Sequence, residues 1–169
     1  MSDLLPMSER SMIVYDKKEL RSILRSFKAM SDQATEEAKK ESAALAQFLG
    51  EKIVIASASA PNPQVAMRIA QGFRVKKSSK IGELSFGFAS QKFSGGASTE
   101  FNFGTQGGNG LLAGAEFGAK KYAQFPSRTP RYGIRGNAGY FIYPTLRANQ
   151  SELIKQWEEA FSRILKEFK

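Results

Sequence analysis

The sequence predicts an α+β fold, because helical and strand-like hydrophobic patterns occupy different parts of the chain. Two amphipathic segments, one near each end, place apolar residues at the three- and four-residue spacing of a helix. Between them, residues 72–118 alternate apolar with small or polar residues, which is typical of strands. With 169 residues, of which 41% are hydrophobic, the chain is expected to form a single domain over residues 1–169.

The first predicted helix occupies residues 17–58, after an N-terminal arm of residues 1–16. Asp16 and Glu19 form a candidate capping box, and Gly50, which follows the last residue of the apolar stripe, is a candidate helix terminator. The middle of the stripe holds only small residues: Ala34, Ala38 and Ser42. Such a stretch predicts either a kink or close packing against another backbone, such as that of a neighbouring subunit.

The central segment predicts a short helix followed by an antiparallel sheet of about four strands. The helix lies in NPQVAMRIAQGF, which has Pro near its start and Gly at its end. The apolar faces of the strands are Phe73/Val75, Leu84/Phe86/Phe88, Phe101/Phe103 and Leu111/Ala113/Ala115/Phe117. The glycine-rich stretches SGGAS and GTQGGNG are predicted flexible loops within residues 90–110.

Residues 140–169 predict an aromatic junction and then a C-terminal amphipathic helix. Asn149 and Glu152 form a second candidate capping box. Eight apolar residues between Leu153 and Phe168 fall within roughly 140° when the chain is wound at about 100° per residue. We therefore expect this helix to pack on the sheet, with Trp157 buried between them.

The positive charge of the chain is concentrated in its middle. The formal net charge is +9, and residues 53–150 contain twelve Lys or Arg but three Asp or Glu. A predicted basic loop over residues 119–139 contains Lys120, Lys121, Arg128, Arg131 and Arg135. Such a surface suits an anionic partner, most commonly nucleic acid, by stacking and phosphate neutralisation. The alternative is a solvated basic face that keeps the protein soluble. In that case Tyr122, Phe125 and Tyr132 would hold the loop against the sheet while the arginines stay hydrated.

The residue types point away from catalysis. The chain has no His and no Cys, which excludes imidazole bases, thiol nucleophiles and disulfides built from its own residues. The remaining possibility is a carboxylate pair drawn from Glu83, Glu100 and Glu116, but their spacing does not require one. We predict no catalytic, cofactor or metal site. The amino terminus lacks a secretory pattern, and no run approaches the roughly 20 apolar residues of a membrane span.

Two segments carry a resemblance to a known family: LLAGAEFGAKKY at Leu111–Tyr122 and GYFIYPTLRANQSELIKQWEEAFSRILKEF at Gly139–Phe168. A segment ending in Glu-Phe-Gly, a basic loop, and an aromatic motif with Pro before a C-terminal helix resemble the neck or tail-completion proteins of long-tailed bacteriophages. These minor tail components join the capsid connector to the tail tube. The family's usual Pro-Phe-Leu-x-Pro-Ala core is replaced here by GYFIYPTL, and the loop is longer.

The resemblance implies a non-enzymatic virion protein at the head-to-tail junction, assembled in the host cytoplasm. It implies a ring, hexameric or dodecameric, contacting connector or adaptor proteins and tail-tube or terminator proteins. Genomic DNA would pass through the ring without sequence readout, and the five cations of the basic loop would face the DNA channel or a partner. The structural junction would consist of Tyr140, Phe141, Tyr143, Pro144 and Trp157. The alternative is a small basic nucleic-acid-binding protein acting alone, and a carboxylate hydrolase is a distant third.

Overall fold

The computed structural model describes residues 31–76, 81–99, 110–119, 122–126 and 139–168, together with residues 18, 21, 22, 25, 26 and 29. The elements are, in chain order, α1 (Asp32–Ser57), α2 (Pro63–Gln71), β1 (Phe73–Val75), β2 (Phe86–Phe88), α3 (Leu112–Phe117) and α4 (Ile142–Glu167). The described fold is therefore mostly helical, with one two-stranded sheet. The predicted α+β fold with a sheet of about four strands is wrong.

Helix α1 starts after Ser31, which is its N-cap. Ser31 has an extended backbone, and its hydroxyl oxygen accepts a hydrogen bond from the N–H of Ala34. An extended residue cannot continue an α-helix from the preceding chain. The single helix predicted over residues 17–58 is thus interrupted here, although most of the described residues before Ser31 are also helical. The predicted capping box of Asp16 and Glu19 lies outside the described residues.

Helix α1 buries small residues that recur every four positions. They are Ala34, Ala38, Ser42, Ala46 and Gly50. Gly50 does not end the helix, which continues to Ser57; a Cβ atom on Gly50 would lie 2.1 Å from the ring of Phe73. The chain itself buries this stripe, because α1 packs against α4, α2 and β1. A neighbouring subunit is not needed to cover it.

Helix α2 confirms the short helix predicted in this part of the chain. The side chain of Asn62 caps its start by accepting a hydrogen bond from the N–H of Val65. Pro63 occupies the first turn, where a missing N–H removes no helical hydrogen bond. Gly72 follows the last residue as the C-cap. All of these signals are local, which is why the sequence predicted the helix correctly.

Strands β1 and β2 form an antiparallel pair in which Phe73 lies opposite Phe88 and Val75 opposite Phe86. The rings of the three phenylalanines lie 5.2 to 6.2 Å from one another, centroid to centroid, on one face of the pair. This face packs against the core. The first two predicted strands are confirmed, whereas the third, at Phe101/Phe103, lies outside the described residues.

The fourth predicted strand is helix α3 instead. The alternation of Leu111, Ala113, Ala115 and Phe117 would place those residues on one face of a strand. The structure buries Leu112, Ala115 and Glu116, which are three and four residues apart as on one face of a helix. Alanine favours helices and is depleted in strands, so the alternating pattern of this stretch was a weak signal for a strand.

Helix α4 begins at Ile142, seven residues before the predicted start at Asn149. Asn149 lies inside the helix, where its side-chain amide donates a hydrogen bond of 2.8 Å to the carbonyl of Thr145. The helix packs mainly along α1 and not on the sheet, and an ion pair between Arg163 and Glu41 joins the two helices. The prediction that α4 covers a sheet is therefore wrong.

Candidate functional site

The predicted contact residues of the basic loop, Lys120, Lys121, Arg128, Arg131 and Arg135, lie outside the described residues. The structure does describe the chain on either side of them and a short part within the loop, residues 122–126. These flanks contain the most unusual polar arrangement of the described chain. We define the Glu116 junction as Glu116, Phe125 and residues 139–144, and treat it as the candidate functional site.

The centre of the junction is the carboxylate of Glu116, which is 0% exposed although it carries an ionisable group. Its Oε2 atom accepts hydrogen bonds from the N–H groups of Phe141, at 3.0 Å, and Ile142, at 2.9 Å. Its Oε1 atom accepts a third, of 2.8 Å, from the N–H of Tyr143. A carboxylate at the C-terminal end of α3 therefore holds the first turn of α4, 25 to 27 residues later in the chain.

This arrangement satisfies the whole N-terminus of α4. A helix leaves its first four N–H groups, from the N-cap to the third helical residue, without helical acceptors. Here Phe141 is the N-cap, and Glu116 accepts from it and from the two residues that follow. The fourth position is Pro144, which has no N–H to satisfy. The negative carboxylate also lies at the positive end of the helix dipole, which favours it there.

Glycine is required at position 139 for the carboxylate to fit. Gly139 has a φ of 96°, a conformation that L side chains rarely adopt. A Cβ atom at this position would lie 2.2 Å from Oε1 of Glu116 and 2.8 Å from Cβ of Tyr143. Both the backbone conformation and the space around it therefore exclude a side chain. The chain reaches α4 by passing directly over the buried carboxylate.

The described part of the basic loop is anchored to α3. The ring of Phe125 is buried and packs so close to Gly114 that a Cβ atom there would lie 3.0 Å from the ring. The N–H of Ala119 donates a hydrogen bond of 2.7 Å to the carbonyl of Phe125. The hydroxyl of Tyr140 donates to the carbonyl of Pro126. The loop is therefore fixed to the junction before and after residues 127–138.

Burial is the main electrostatic influence on Glu116. It raises the pKa of the carboxyl above its ordinary value of 4.5, because the charged form loses hydration. The backbone N–H donors at Ile142, Tyr143 and Phe141 oppose this rise, since they stabilise the charge. A protonated carboxyl group can also keep these donors bonded, because its hydroxyl oxygen still has a lone pair to accept with. The junction can therefore persist in both protonation states.

The five predicted junction residues lie in two places. Tyr140, Phe141, Tyr143 and Pro144 surround Glu116; Phe141 is fully buried, and the Tyr143 ring lies 5.2 Å from that of Phe117. Tyr140 and Phe141 lead into α4, and Tyr143 and Pro144 lie in its first turn. Trp157 lies some 20 Å further along the helix axis, at about 1.5 Å per residue. It is buried, as predicted, next to Phe161, but in a helix that packs on α1.

Of the three candidate carboxylates for catalysis, Glu116 bonds to backbone N–H groups, Glu83 is exposed, and Glu100 lies outside the described residues. In the described parts of the chain, no group of three or more His, Cys, Asp or Glu is arranged to hold a metal ion. None of the helices described here has the length and apolarity that crossing a membrane requires.

No protein-family model, curated protein or solved structure matches the chain.

The sequence did not predict the role of Glu116. One available signal was that Glu116 is the only acid in the apolar and small-residue stretch LLAGAEFGA, where a charge must find partners if it is buried. A second was Gly139 next to an aromatic run. Neither signal shows that Glu116 contacts the segment after Gly139. Capping rules consider acceptors within a few residues of a helix start, and this acceptor is 25 residues away.

Proposed function

We propose that this chain is a structural virion protein that forms a ring at the head-to-tail junction of a long-tailed bacteriophage. It would act in the neck or in tail completion, joining the connector to the tail around the DNA channel. The proposal starts from the resemblance of two sequence segments, Leu111–Tyr122 and Gly139–Phe168, to proteins of that class. The ring, its neighbours and the passing DNA are all part of the proposal.

One observation supports it most: the buried carboxylate of Glu116 bonds to three N–H groups at the start of α4. The two resembling segments are thus parts of one built arrangement and not two unrelated matches. That arrangement fixes both ends of a basic loop. An assembly protein needs such a rigid base for an irregular contact segment, whereas a core junction alone would not need a buried charge to close it.

The decisive test disrupts the gene in a phage genome that encodes the chain. We expect electron micrographs of the lysate to show filled heads and finished tails lying apart, and gold-labelled antibody to mark the neck of wild-type particles. Supplying the wild-type chain from a plasmid should restore joined particles. Joined, infectious particles produced without the chain would contradict the proposal.

The alternative, a basic nucleic-acid-binding protein that acts alone, is favoured by the excess of Lys and Arg over residues 53–150. Mass measurement by light scattering distinguishes the two. The assembly role predicts that the chain forms rings, either alone or once connector or tail proteins are added. A chain that stays monomeric with those partners and binds duplex DNA at physiological salt would favour the alternative.

A further inference from the structure

The outer face of the two-stranded sheet combines cations with an absence of bulky side chains. On β1, Phe73 and Val75 face the core, so Arg74 points to the opposite side and is exposed. Arg74 lies opposite Gly87 on β2. The pairing of the two strands continues one residue past Val75, where the N–H of Lys76 donates a hydrogen bond of 2.8 Å to the carbonyl of Ser85. We call the outer face of these strands the sheet platform; it consists of Arg74, Lys76, Ser85, Gly87 and Ala89.

Lys76 lies on the same side of the sheet as Arg74. A Cβ atom built on Gly87 would lie 3.0 Å from Cε and 3.4 Å from Nζ of Lys76, so the lysine side chain crosses the space above the glycine. The two cationic side chains thus start from alternate positions of one strand, whose Cα atoms are about 7 Å apart at roughly 3.3 Å per residue. The facing strand contributes only the small, half-buried residues Ser85, Gly87 and Ala89 to this face.

These two cations are not engaged by acids of the described chain. Neither Arg74 nor Lys76 forms an ion pair with a described carboxylate. One guanidinium nitrogen of Arg74 bonds to the carbonyls of Phe73 and Gln71, and the other two make no hydrogen bond to described residues. The one acid within residues 52–99 is Glu83, which precedes the paired part of β2. The platform is therefore positively charged.

We infer that the sheet platform binds the phosphate backbone of duplex nucleic acid without reading its sequence. Phosphate contacts need cations and close access to a surface, and the platform supplies both. An acidic protein partner is less favoured, because protein interfaces gain most of their affinity from apolar and aromatic anchors. Beside its two cations the platform has only the small residues Ser85, Gly87 and Ala89. This inference deepens the proposed function, on which it rests for the identity of the bound DNA.

Gly87 provides a sharp test with a matched control. Its φ is not in the left-handed region, and the atoms nearest to an added Cβ belong to the flexible end of Lys76. Gly87→Glu and Gly87→Gln are therefore expected to fold, and they place side chains of equal shape on the platform. In fluorescence anisotropy with a labelled random-sequence duplex and the full chain, Gly87→Glu should bind markedly more weakly than Gly87→Gln, because only the former adds negative charge.

A second pair of variants separates location from net charge. Arg74→Gln with Lys76→Gln removes two charges from the platform, and Lys155→Gln with Lys166→Gln removes two exposed charges from α4. The platform variant should lower the slope of log affinity against log salt by about 2, since each phosphate contact contributes about 1. The α4 variant should leave the slope unchanged. Two unrelated duplex sequences should give equal affinities.

Several results would overturn the inference. The first two are equal duplex affinities for Gly87→Glu and Gly87→Gln, and equal losses of affinity from the platform variant and the α4 variant. A third is the absence of duplex binding by the wild-type chain at low salt. A fourth is tighter binding to polyglutamate than to duplex at the same ionic strength. The last result would identify an acidic protein as the partner. Because these measurements use the isolated chain, they are independent of particle assembly. Normal particles from a gene disruption would overturn the proposed function while leaving a measured platform affinity intact.

Discussion

At the scale of single residues, Glu116 combines an ionisable group with complete burial. Both of its oxygens accept backbone hydrogen bonds in a fully buried position. A glutamine at position 116 would have a similar shape, but its amide nitrogen has no lone pair to accept the N–H that faces it. Burying a donor without an acceptor is among the larger penalties that one substitution can cause.

We therefore predict that Glu116→Gln lowers the free energy of unfolding by about 1 to 3 kcal/mol, the cost of one buried unsatisfied donor. Urea denaturation at neutral pH, followed by circular dichroism, measures this. The matched control is Glu159→Gln, the same chemical change at an exposed position of α4, which should change stability by less than about 0.5 kcal/mol. Equal stability of the two variants would show that Glu116 does not hold the helix start.

The raised pKa of Glu116 gives a pH dependence with a definite sign. Between the ordinary pKa of 4.5 and the raised folded value, the folded chain holds a proton that the unfolded chain has released. Stability therefore falls as pH rises through this window and becomes flat above it. The unfolding free energy of the wild type minus that of Glu116→Gln should therefore decrease as the pH rises above 4.5, because only the wild type has the titrating group. An increase would mean that the folded pKa is depressed.

Gly139 allows the contact with Glu116 to be separated from backbone strain. Gly139 and Gly95 share a φ of 96°, but an added Cβ would meet Glu116 at Gly139 and nothing within 4 Å at Gly95. Gly95→Ala should lose about 1 to 2 kcal/mol, the penalty of the left-handed conformation alone. Gly139→Ala should lose clearly more in the same denaturation assay. Equal losses would leave strain as the sole effect and contradict the close contact.

At the scale of elements, what the sequence could predict depended on how local the signal was. Helix α2 was predictable because Asn62, Pro63 and Gly72 mark its ends within the segment itself. The start of α4 was not, because its cap is a carboxylate 25 residues earlier and Asn149 offered a competing local cap. Helix α3 was mistaken for a strand because alternation in a short run of small residues fits either structure.

The same distinction applies to the candidate site. Composition and charge located a basic loop between two motif segments, and that prediction still stands untested for its five cations. The sequence could not show that Glu116 joins those segments, since hydrogen bonds between residues far apart leave no periodic pattern. It also could not show that Arg74 and Gly87 lie opposite each other, because register depends on the pairing of β1 with β2.

The packing of α1 on β1 yields a prediction that opposes helix propensity. Replacing a mid-helix glycine by alanine normally stabilises a helix by up to about 1 kcal/mol. At Gly50, however, the added Cβ would lie 2.1 Å from the Phe73 ring, so Gly50→Ala should lower the melting temperature. The same Gly50→Ala change should lower the melting temperature less when it is made in a Phe73→Leu background, because the ring that it meets is then absent. A raised melting temperature for Gly50→Ala would show that the ring can move away at no cost.

At the scale of the whole molecule, the Glu116 junction divides the chain into a packed frame and a basic loop fixed to it. The frame contains the described core of α1, α2, the sheet, α3 and α4. The loop contains five of the twelve cations of residues 53–150, and one of the three acids in that range, Glu116, is buried. The buried Glu116 therefore contributes no exposed negative charge to this range.

The proposed role of that charge can be tested in the particle. If Arg128, Arg131 and Arg135 act by charge and not by specific geometry, replacing all three with Gln should leave heads and tails unjoined or genomes leaking. Replacing all three with Lys should preserve infectious particles, because lysine keeps the positive charge. Lysine lacks the planar, bidentate group of arginine, so this variant tests charge separately from geometry. The measurement is a plaque count with electron microscopy after plasmid complementation of a gene disruption, with circular dichroism to verify that each variant folds. Infectious particles from the Gln variant would remove the loop's proposed role, and failure of a folded Lys variant would mean that arginine geometry, and hence a specific partner contact, is required.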